Sequence, residues 1–256
     1  NPLRGATRSA SSASKRLIPT YPFELDRFQR EAVNAVESGR SVLVAAPTSS
    51  GKTVIAEAAI GKALESAQRT FYTAPIKALC NQKYRDLTDL FGSDRVGLLT
   101  GDNSIAPWAQ VVVMTTEVLR NMLYSDVSEV DDLAWVVLDE VHFLEDPYRG
   151  AVWEEVVLNL PATVGIVALS ATVSNAEELG DWLSAVRGPT EVVVERRRPV
   201  PLRTHYLVAE RQGGRAIRRL PLMAKGRPNP EGRRFDTPSS PRGNDRRRGG
   251  RRSATG

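Results

Sequence analysis

The chain has 256 residues, 41% of them hydrophobic and 25% charged, which is enough apolar content for one sizeable folded core. A single cysteine, Cys80, excludes an internal disulfide framework, and with only two histidines no Cys/His zinc cluster can form. No apolar stretch is long enough to cross a membrane, and the N-terminal segment lacks a hydrophobic signal core, so we expect a cytoplasmic protein.

The positive charge is concentrated at the end of the chain. The formal net charge is +5, but residues 211–256 hold 14 of the 35 Lys/Arg residues and only 3 of the 30 Asp/Glu residues. The first 210 residues therefore carry a net charge of −6. A basic isoelectric point is thus no argument that the body of the chain binds nucleic acid, and such a role must rest on motifs.

Two end segments have the composition of disordered chain. Residues 1–16 are rich in Ser and Ala, and residues 213–256 are rich in Arg, Gly and Pro with few large apolar groups. We therefore predict a disordered N-terminal segment over residues 1–18, one α/β domain over residues 19–205, and a disordered basic tail over residues 206–256.

Between these ends, short apolar runs alternate with helical stretches. Strands are predicted at residues 42–46, 70–74, 96–99, 111–115, 135–138, 166–169 and 191–194, and helices at residues 53–67, 76–91, 117–124, 152–160 and 176–186. This alternation predicts a parallel β-sheet with helices on both faces. No repeat of solenoid type interrupts it.

The segment Ala45–Thr53 predicts a polyphosphate site between the first strand and its helix. A loop ending in Gly-Lys-Thr surrounds phosphates with backbone N–H groups and one ammonium, and the helix dipole favours an anion. Gly51 allows close approach of the backbone, Lys52 would reach the β- and γ-phosphates, and the Thr53 hydroxyl would ligate a magnesium ion. Ala46 replaces the first glycine of the common pattern. The loop residues predicted to bind the nucleotide are Pro47, Thr48, Ser49, Ser50, Gly51, Lys52 and Thr53.

An acidic pair follows the apolar run at residues 135–138, which is typical of a buried parallel strand. Because ligands of open α/β sheets bind at the carboxyl edge, Asp139 could hold the magnesium, directly or through water, and Glu140 could polarise the attacking water. Lys52, Asp139 and Glu140 form the predicted catalytic set, and Thr53 and Asp139 are the predicted metal ligands. The alternative is an acidic, solvated helix N-terminus.

These motifs resemble the DEVH-box helicases of superfamily 2, specifically the Ski-type RNA helicases, whose bacterial relatives are called HelY. The resemblance covers about residues 21 to 205, and its matching stretches are residues 23–29, 45–53, 72–79, 99–102, 115–120, 139–142 and 149–155. It implies the N-terminal RecA-like motor lobe of a P-loop enzyme, with ATP and Mg²⁺ as cofactors. The intact two-lobe parent would couple ATP hydrolysis to 3′-to-5′ unwinding of RNA.

The resemblance also assigns roles to single positions. Gln29 and Phe23 would read and stack on adenine, although an exposed helix residue is the alternative for Gln29. The residues implied to couple nucleotide state to strand grip are His142, Ser170, Ala171 and Thr172. The residues implied to contact the nucleic-acid backbone are Pro75, Lys77, Gln82, Lys83, Thr100, Gly101, Thr115, Thr116 and Arg120. The three cations in that set could instead be plain solvated charges.

In the family, a second motor lobe follows the region of residues 198–202 and supplies arginine fingers. The sequence has no such lobe there and begins at Asn1 rather than Met, so we expect a fragment, and we hypothesise that the basic tail comes from truncation or a shifted reading frame. The implied partners are single-stranded RNA or DNA and a second motor lobe or RNA-decay proteins, with no membrane. An isolated lobe should turn ATP over slowly, since an arginine finger is worth roughly 10³ to 10⁵ in rate.

Three functions stay open at this point. The motifs favour the motor lobe of an ATP-dependent RNA helicase. A DNA-repair helicase of the same superfamily is the second, because phosphate contacts do not distinguish RNA from DNA. The third is a non-catalytic ATP- or RNA-binding module whose arginine-rich tail does the binding, and deletion of residues 212–256 would separate it from the other two.

Overall fold

A computed structural model of the chain describes residues 19, 21–125, 127–171, 175–209 and 217–232. The chain divides into two compact units, residues 1–199 and residues 200–256. The first unit contains every predicted site residue.

The first unit is built on an eight-stranded sheet. Its strands are β1 Ser41–Ala45, β2 Arg69–Ala74, β3 Val96–Thr100, β4 Asn103–Ile105, β5 Val111–Thr115, β6 Leu133–Leu138, β7 Gly165–Ser170 and β8 Thr190–Val194. Their spatial order is β4-β3-β5-β2-β6-β7-β1-β8, and every pairing is parallel except that of β3 with β4. The predicted parallel sheet is confirmed, and β4 is an additional edge strand that the sequence did not indicate.

Helices cover both faces of the sheet. They are α1 Arg27–Glu37, α2 Thr53–Glu65, α3 Lys77–Phe91, α4 Thr116–Ser125, α5 Gly150–Asn159 and α6 Ala176–Arg187, with 3₁₀ turns at Val127–Val130 and Val141–Glu145. Side chains alternate across each strand, so Val42 and Val44 pack in the core beneath α1–α3 while Leu43 packs in the core beneath α4–α6. Because both faces are covered, the strands are continuous apolar runs.

The loops that follow parallel strands meet at one edge of the sheet. Consecutive β–helix connections place the loops after β1, β2, β5, β6 and β7 at the carboxyl edge, where ligands of open α/β sheets bind. This is the edge that collects the predicted nucleotide and nucleic-acid residues.

The second unit contains short antiparallel pairs. Strand β9, His205–Ala209, pairs with β10, Ile217–Pro221, and β11, Met223–Ala224, pairs with β12, Arg227–Pro228. Residues 217–232 thus differ from the predicted disordered tail, because local strand pairing satisfies backbone groups that a composition argument does not consider. Residues 1–18, 210–216 and 233–256, also predicted to be disordered, lie outside the described residues.

Within the described ranges, no helix is both long and apolar enough to span a bilayer. Cys80 is fully buried on α3, with its Sγ 4.0 Å from the Ala74 carbonyl oxygen. Burial raises the pKa of its thiol to about 11. The cysteine is therefore a packing residue and not a reactive nucleophile, as its helical position predicts.

Candidate nucleotide and nucleic-acid site

The phosphate loop lies between β1 and α2, and two of its residues have left-handed backbone conformations. Ser49 and Gly51 both have positive φ, at 67° and 83°, and Lys52 is the N-cap of α2. The Ala46 N–H donates to the Ser170 carbonyl at 3.2 Å, which joins the loop to the end of β7. The loop thus presents the N-terminus of α2 at the carboxyl edge of the sheet, as the sequence predicts.

The Lys52 ammonium lies inside the loop. Its Nζ donates to the carbonyl oxygens of Ala46 at 2.8 Å and Pro47 at 3.2 Å. Partial burial lowers the pKa of Lys52, and the nearby carboxylates of Glu140 and Asp139 act in the opposite direction. The loop after β1 and the acidic pair after β6 follow strands that both pair with β7, so they lie at the same edge of the sheet.

Gln29 holds the phosphate loop through hydrogen bonds to its backbone. It is only 4% exposed, its Nε2 donates to the carbonyls of Ser50 at 3.2 Å and Gly51 at 3.1 Å, and its Oε1 accepts from the Asp26 N–H at 2.8 Å. The side chain is therefore not the exposed helix residue of the alternative. Both donor hydrogens of its amide bind backbone carbonyls, and its role towards adenine stays a prediction. Phe23, its predicted partner, is 54% exposed and open to stacking.

Asp139 is held at both carboxylate oxygens. Its Oδ2 accepts from the Tyr72 hydroxyl at 2.6 Å, and its Oδ1 accepts from the Glu140 N–H at 3.0 Å. Tyr72 is fully buried in β2, and burial together with the Asp139 charge raises the pKa of its phenol well above the usual value. Tyr72 therefore stays a neutral donor that fixes the orientation of the carboxylate.

Glu140 has a left-handed backbone, with φ 55° and ψ 42°. This conformation is costly for a residue with a Cβ and typically persists where a functional site requires it. It turns the chain from β6 into the 3₁₀ turn that carries His142. The His142 Nδ1 lies 3.3 Å from Glu140 Oε2, but the atoms are not aligned for a hydrogen bond, so we treat the pair as a close contact only.

The Ser-Ala-Thr segment follows β7. Ala45 and Ser170 are register partners of β1 and β7, so Ser170 lies beside the entrance to the phosphate loop. The Ser170 side chain is fully buried. Ala171 is partly exposed, and Thr172 lies outside the described residues.

A groove at the same edge collects several residues predicted to contact nucleic acid. Its walls include Pro75, Lys77, Gly101 and Thr115. Lys77 Nζ forms an ion pair with Asp102 at 2.5 Å, and Thr100 donates to the same carboxylate at 3.1 Å. These hydrogen bonds lower the pKa of Asp102.

Arg149 joins the walls of this groove. Its Nη2 donates to the Pro75 carbonyl and to Glu117 Oε1, each at 2.5 Å. Its guanidinium carbon lies 5.9 Å from the ring centroids of both Phe143 and Trp153. One side chain thus connects the start of α3, helix α4, the turn after the acidic pair, and helix α5.

Five residues predicted to contact nucleic acid are not among those that line the groove, and Thr100, which bonds Asp102, is the first of them. The Lys83 ammonium donates to Thr53 at 3.1 Å, at the nucleotide site, because its side chain extends from α3 towards α2. Thr116 is fully buried at the start of α4, and its contact with nucleic acid stays a prediction. Arg120 lies 3.7 Å from Glu155 on α5, and Gln82 is exposed but is not among the residues that line the groove.

Sequence reasoning did not identify Tyr72, Glu117 or Arg149 as site residues. Tyr72 and Glu117 lie inside matching stretches, and Arg149 opens the most group-specific one. The matching stretches therefore contained these residues without indicating their roles. Their contacts join segments 32 to 74 residues apart, which no local pattern encodes.

Residues 26–179, more than half of the chain, match the DEAD/DEAH box helicase family. The chain belongs to this helicase family. It is 58% identical over 196 residues to the probable helicase HelY of Mycobacterium tuberculosis, covering 77% of this chain and 22% of that protein. It is 50% identical over 188 residues to the exosome RNA helicase MTR4 of Homo sapiens, covering 73% of this chain and 18% of that protein.

The fold of the DEAD/DEAH chain is also that of solved helicases. The structure of the helicase Lhr of Mycobacterium smegmatis bound to ssDNA and AMP-PNP matches with a TM-score of 0.53 and 28% identity, covering 66% of this chain and 25% of that chain. The resemblance to Ski-type helicases and the RecA-like fold are thereby confirmed. The chain spans about a fifth of the curated relatives described, so their whole activities are not established for it.

Proposed function

We propose that this chain is the ATP-binding motor lobe of an ATP-dependent RNA helicase. The observation that carries the proposal is that Lys52, Asp139 and Glu140 follow strands β1 and β6, which both pair with β7, at the carboxyl edge of the sheet. An ammonium in a loop at a helix N-terminus binds a polyphosphate, and carboxylates opposite it serve metal binding and water activation. Membership of the helicase family supports ATP as the nucleotide.

The donor set at this site fits a magnesium ion. Thr53 offers a hydroxyl oxygen and Asp139 a carboxylate oxygen, the donor types that Mg²⁺ prefers. Asp139 is kept in one orientation by two hydrogen bonds, which suits an ion that demands regular geometry. Bound there with ATP, the ion would neutralise charge on the β- and γ-phosphates.

Hydrolysis then depends on positioning by the protein. Glu140 polarises the attacking water, and its left-handed backbone directs the residue out of the strand at the edge where the phosphates would lie. Lys52 stabilises the charge that develops on the transferred phosphoryl group. Four residues couple the bound state of the nucleotide to the grip on nucleic acid. They are His142 beside Glu140, Ser170 beside the phosphate loop, and Ala171 and Thr172 after it.

Nucleic acid would bind along the groove formed by Pro75, Lys77, Gly101 and Thr115. Two cations, Lys77 and Arg149, line this path. Cations suit phosphate contacts that position a strand without reading its sequence. We propose single-stranded RNA, because MTR4 is named an RNA helicase and is 50% identical over 188 residues. A second motor lobe or RNA-decay proteins are the proposed protein partners, with cytoplasmic location supported by a buried, unpaired Cys80.

A DNA helicase is the second candidate. The structure of Lhr carries ssDNA, and it shares the fold of this chain. Phosphate contacts alone do not distinguish an RNA strand from a DNA strand, since the sugar difference lies in the 2′-hydroxyl.

The test is ATP binding and ATPase turnover of this chain, with single-stranded RNA, with single-stranded DNA, and with neither. We expect Lys52→Ala to weaken ATP binding by roughly 10- to 150-fold, as for loss of a hydrogen bond to a charged group. Glu140→Gln should preserve binding and remove hydrolysis, because the amide cannot polarise water as a carboxylate does. Equal ATP affinity for Lys52→Ala and the parent chain would contradict the proposal, and stimulation by DNA alone would favour the second candidate.

A further inference from the structure

Lys83 lies at the nucleotide site, although its motif resembles one that touches nucleic acid. Its Nζ donates to the Thr53 hydroxyl at 3.1 Å and lies 5.7 Å from the centroid of the Tyr72 ring. Thr53 is the first residue of α2, and Tyr72 is the donor that holds Asp139. One ammonium, on a helix that belongs to neither loop, therefore bonds one proposed metal ligand, Thr53, and lies near Tyr72, the donor to the other, Asp139.

The bond to Lys83 determines which oxygen lone pair of Thr53 stays available. A hydroxyl has two acceptor lone pairs and one donor hydrogen. When one lone pair accepts from an ammonium, the other can still ligate a cation, while the rotation of the hydroxyl is restricted. Lys83 thus acts on the orientation of Thr53 and does not compete for all of its binding capacity.

Lys83 also brings a second positive charge to the loop. Burial lowers the pKa of Lys52, the carboxylates of Glu140 and Asp139 raise it, and the Lys83 charge lowers it further as the smallest of these effects. Within the described part of the chain, no carboxylate forms an ion pair with either ammonium; their hydrogen-bond acceptors are carbonyl and hydroxyl oxygens. Two ammonium groups that donate to the phosphate loop and to the first residue of α2 are a natural complement to a polyanion bound there.

We infer that Lys83 is a positioning residue of the nucleotide site, which orients the Thr53 hydroxyl and adds a second ammonium to the triphosphate-binding charge. The inference rests on the proposed function, because it takes the ligand of the loop to be a nucleoside triphosphate with Mg²⁺. Lys83 is thus assigned to nucleotide binding. Lys77, six residues earlier on the same helix, is assigned to the nucleic-acid groove.

The test measures two affinities of the same chain: that for a fluorescent ATP analogue with Mg²⁺, and that for a single-stranded oligouridylate. Lys83→Met should weaken binding of the ATP analogue by about threefold to tenfold, since it removes one charge-assisted contact near the phosphates. It should leave the oligouridylate affinity within about twofold, which is within ordinary surface effects. Lys83→Gln keeps a donor to Thr53 without the charge and should fall between Lys83→Met and the parent.

Arg85→Met is the matched control, because Arg85 is an exposed cation of the same helix. It removes one positive charge and should not change the affinity for the ATP analogue. Lys77→Met is the opposite variant and should weaken oligouridylate binding. The thermal midpoint of each variant reports whether its fold is intact.

Three results would overturn the inference: a loss of oligouridylate affinity by Lys83→Met with ATP affinity intact, no change in either affinity, or an equal loss of both with a lowered thermal midpoint. A drop in ATP affinity for Arg85→Met as large as for Lys83→Met would also overturn it. Failure of Lys52→Ala to weaken ATP binding is a different result, since it refutes the proposed function itself.

Discussion

Single residues at this site adopt backbone conformations that most side chains avoid. Gly51 has φ 83°, and a Cβ at that position would approach Gln29 Nε2 to 2.6 Å. Glu140 has φ 55° despite its side chain. The first position requires glycine for both conformation and space, whereas the second keeps a carboxylate at the cost of strain, which is typical of a functional residue.

We predict that Gly51→Ala destabilises the fold by roughly 1–3 kcal/mol, because alanine disfavours this φ and its methyl group displaces Gln29. ATP affinity should fall as well, since Gln29 no longer holds the Ser50 and Gly51 carbonyls. Chemical denaturation and nucleotide titration measure the two effects.

Gly188→Ala is the control, because Gly188 has φ 86° but open space around its Cα. This variant should lose stability without loss of ATP affinity. An ATP affinity for Gly51→Ala equal to that of the parent would refute the bracing role of Gln29.

At the scale of elements, the important connections run between segments that follow different strands. Arg149 at the start of α5 binds the Pro75 carbonyl after β2 and the Glu117 carboxylate of α4. Gly150 follows it, and a Cβ there would lie 2.1 Å from the Leu144 carbonyl oxygen. The turn after the acidic pair is thus packed tightly against α5, so a movement at Glu140 can be transmitted to the groove through Arg149.

We predict that Arg149→Ala weakens binding of single-stranded nucleic acid by about tenfold, because Pro75 and Glu117 lose their common donor. Arg149→Lys should recover only part of the affinity, since one ammonium cannot reproduce the planar guanidinium between two acceptors and two aromatic rings. Affinity for an oligonucleotide, compared with affinity for ATP, is the readout. Equal losses in both would point to a general defect of folding, and full recovery by lysine would contradict the geometric argument.

At the scale of the whole molecule, the proposed ATP site and the excess positive charge belong to different parts of the chain. The first unit has hydrophobic cores on both faces of its sheet and ends at residue 199. Residues 211–256 carry 14 Lys/Arg residues.

We predict that deletion of residues 212–256 leaves ATP affinity unchanged and lowers nucleic-acid affinity at low salt. The dependence of that affinity on salt should become shallower, because fewer counterions are released when fewer cations meet phosphates. Titrations at several salt concentrations measure the slope. Loss of ATP binding on deletion would show that the tail contributes to the motor site, and RNA binding that depends only on the tail and ignores nucleotide would favour the non-catalytic module.

The sequence by itself determined most of the secondary-structure elements and which loops carry the predicted site residues. Seven of the strands and five of the helices could be predicted within two residues, because covered parallel strands are continuous apolar runs and the helices begin and end at compositional changes. Lys52, Asp139 and Glu140 could be assigned to one site, because the carboxyl ends of parallel strands share an edge.

Only the tertiary structure decided where long side chains point. Gln29 bonds the phosphate loop, Lys83 bonds Thr53 and Arg149 spans three elements, although their motifs suggested adenine, nucleic acid and no stated role. Each of these side chains has several flexible torsions, and its partner lies 21 to 74 residues away along the chain. Which partner it meets depends on the order of the strands and the packing of the helices, and neither quantity is contained in a local pattern.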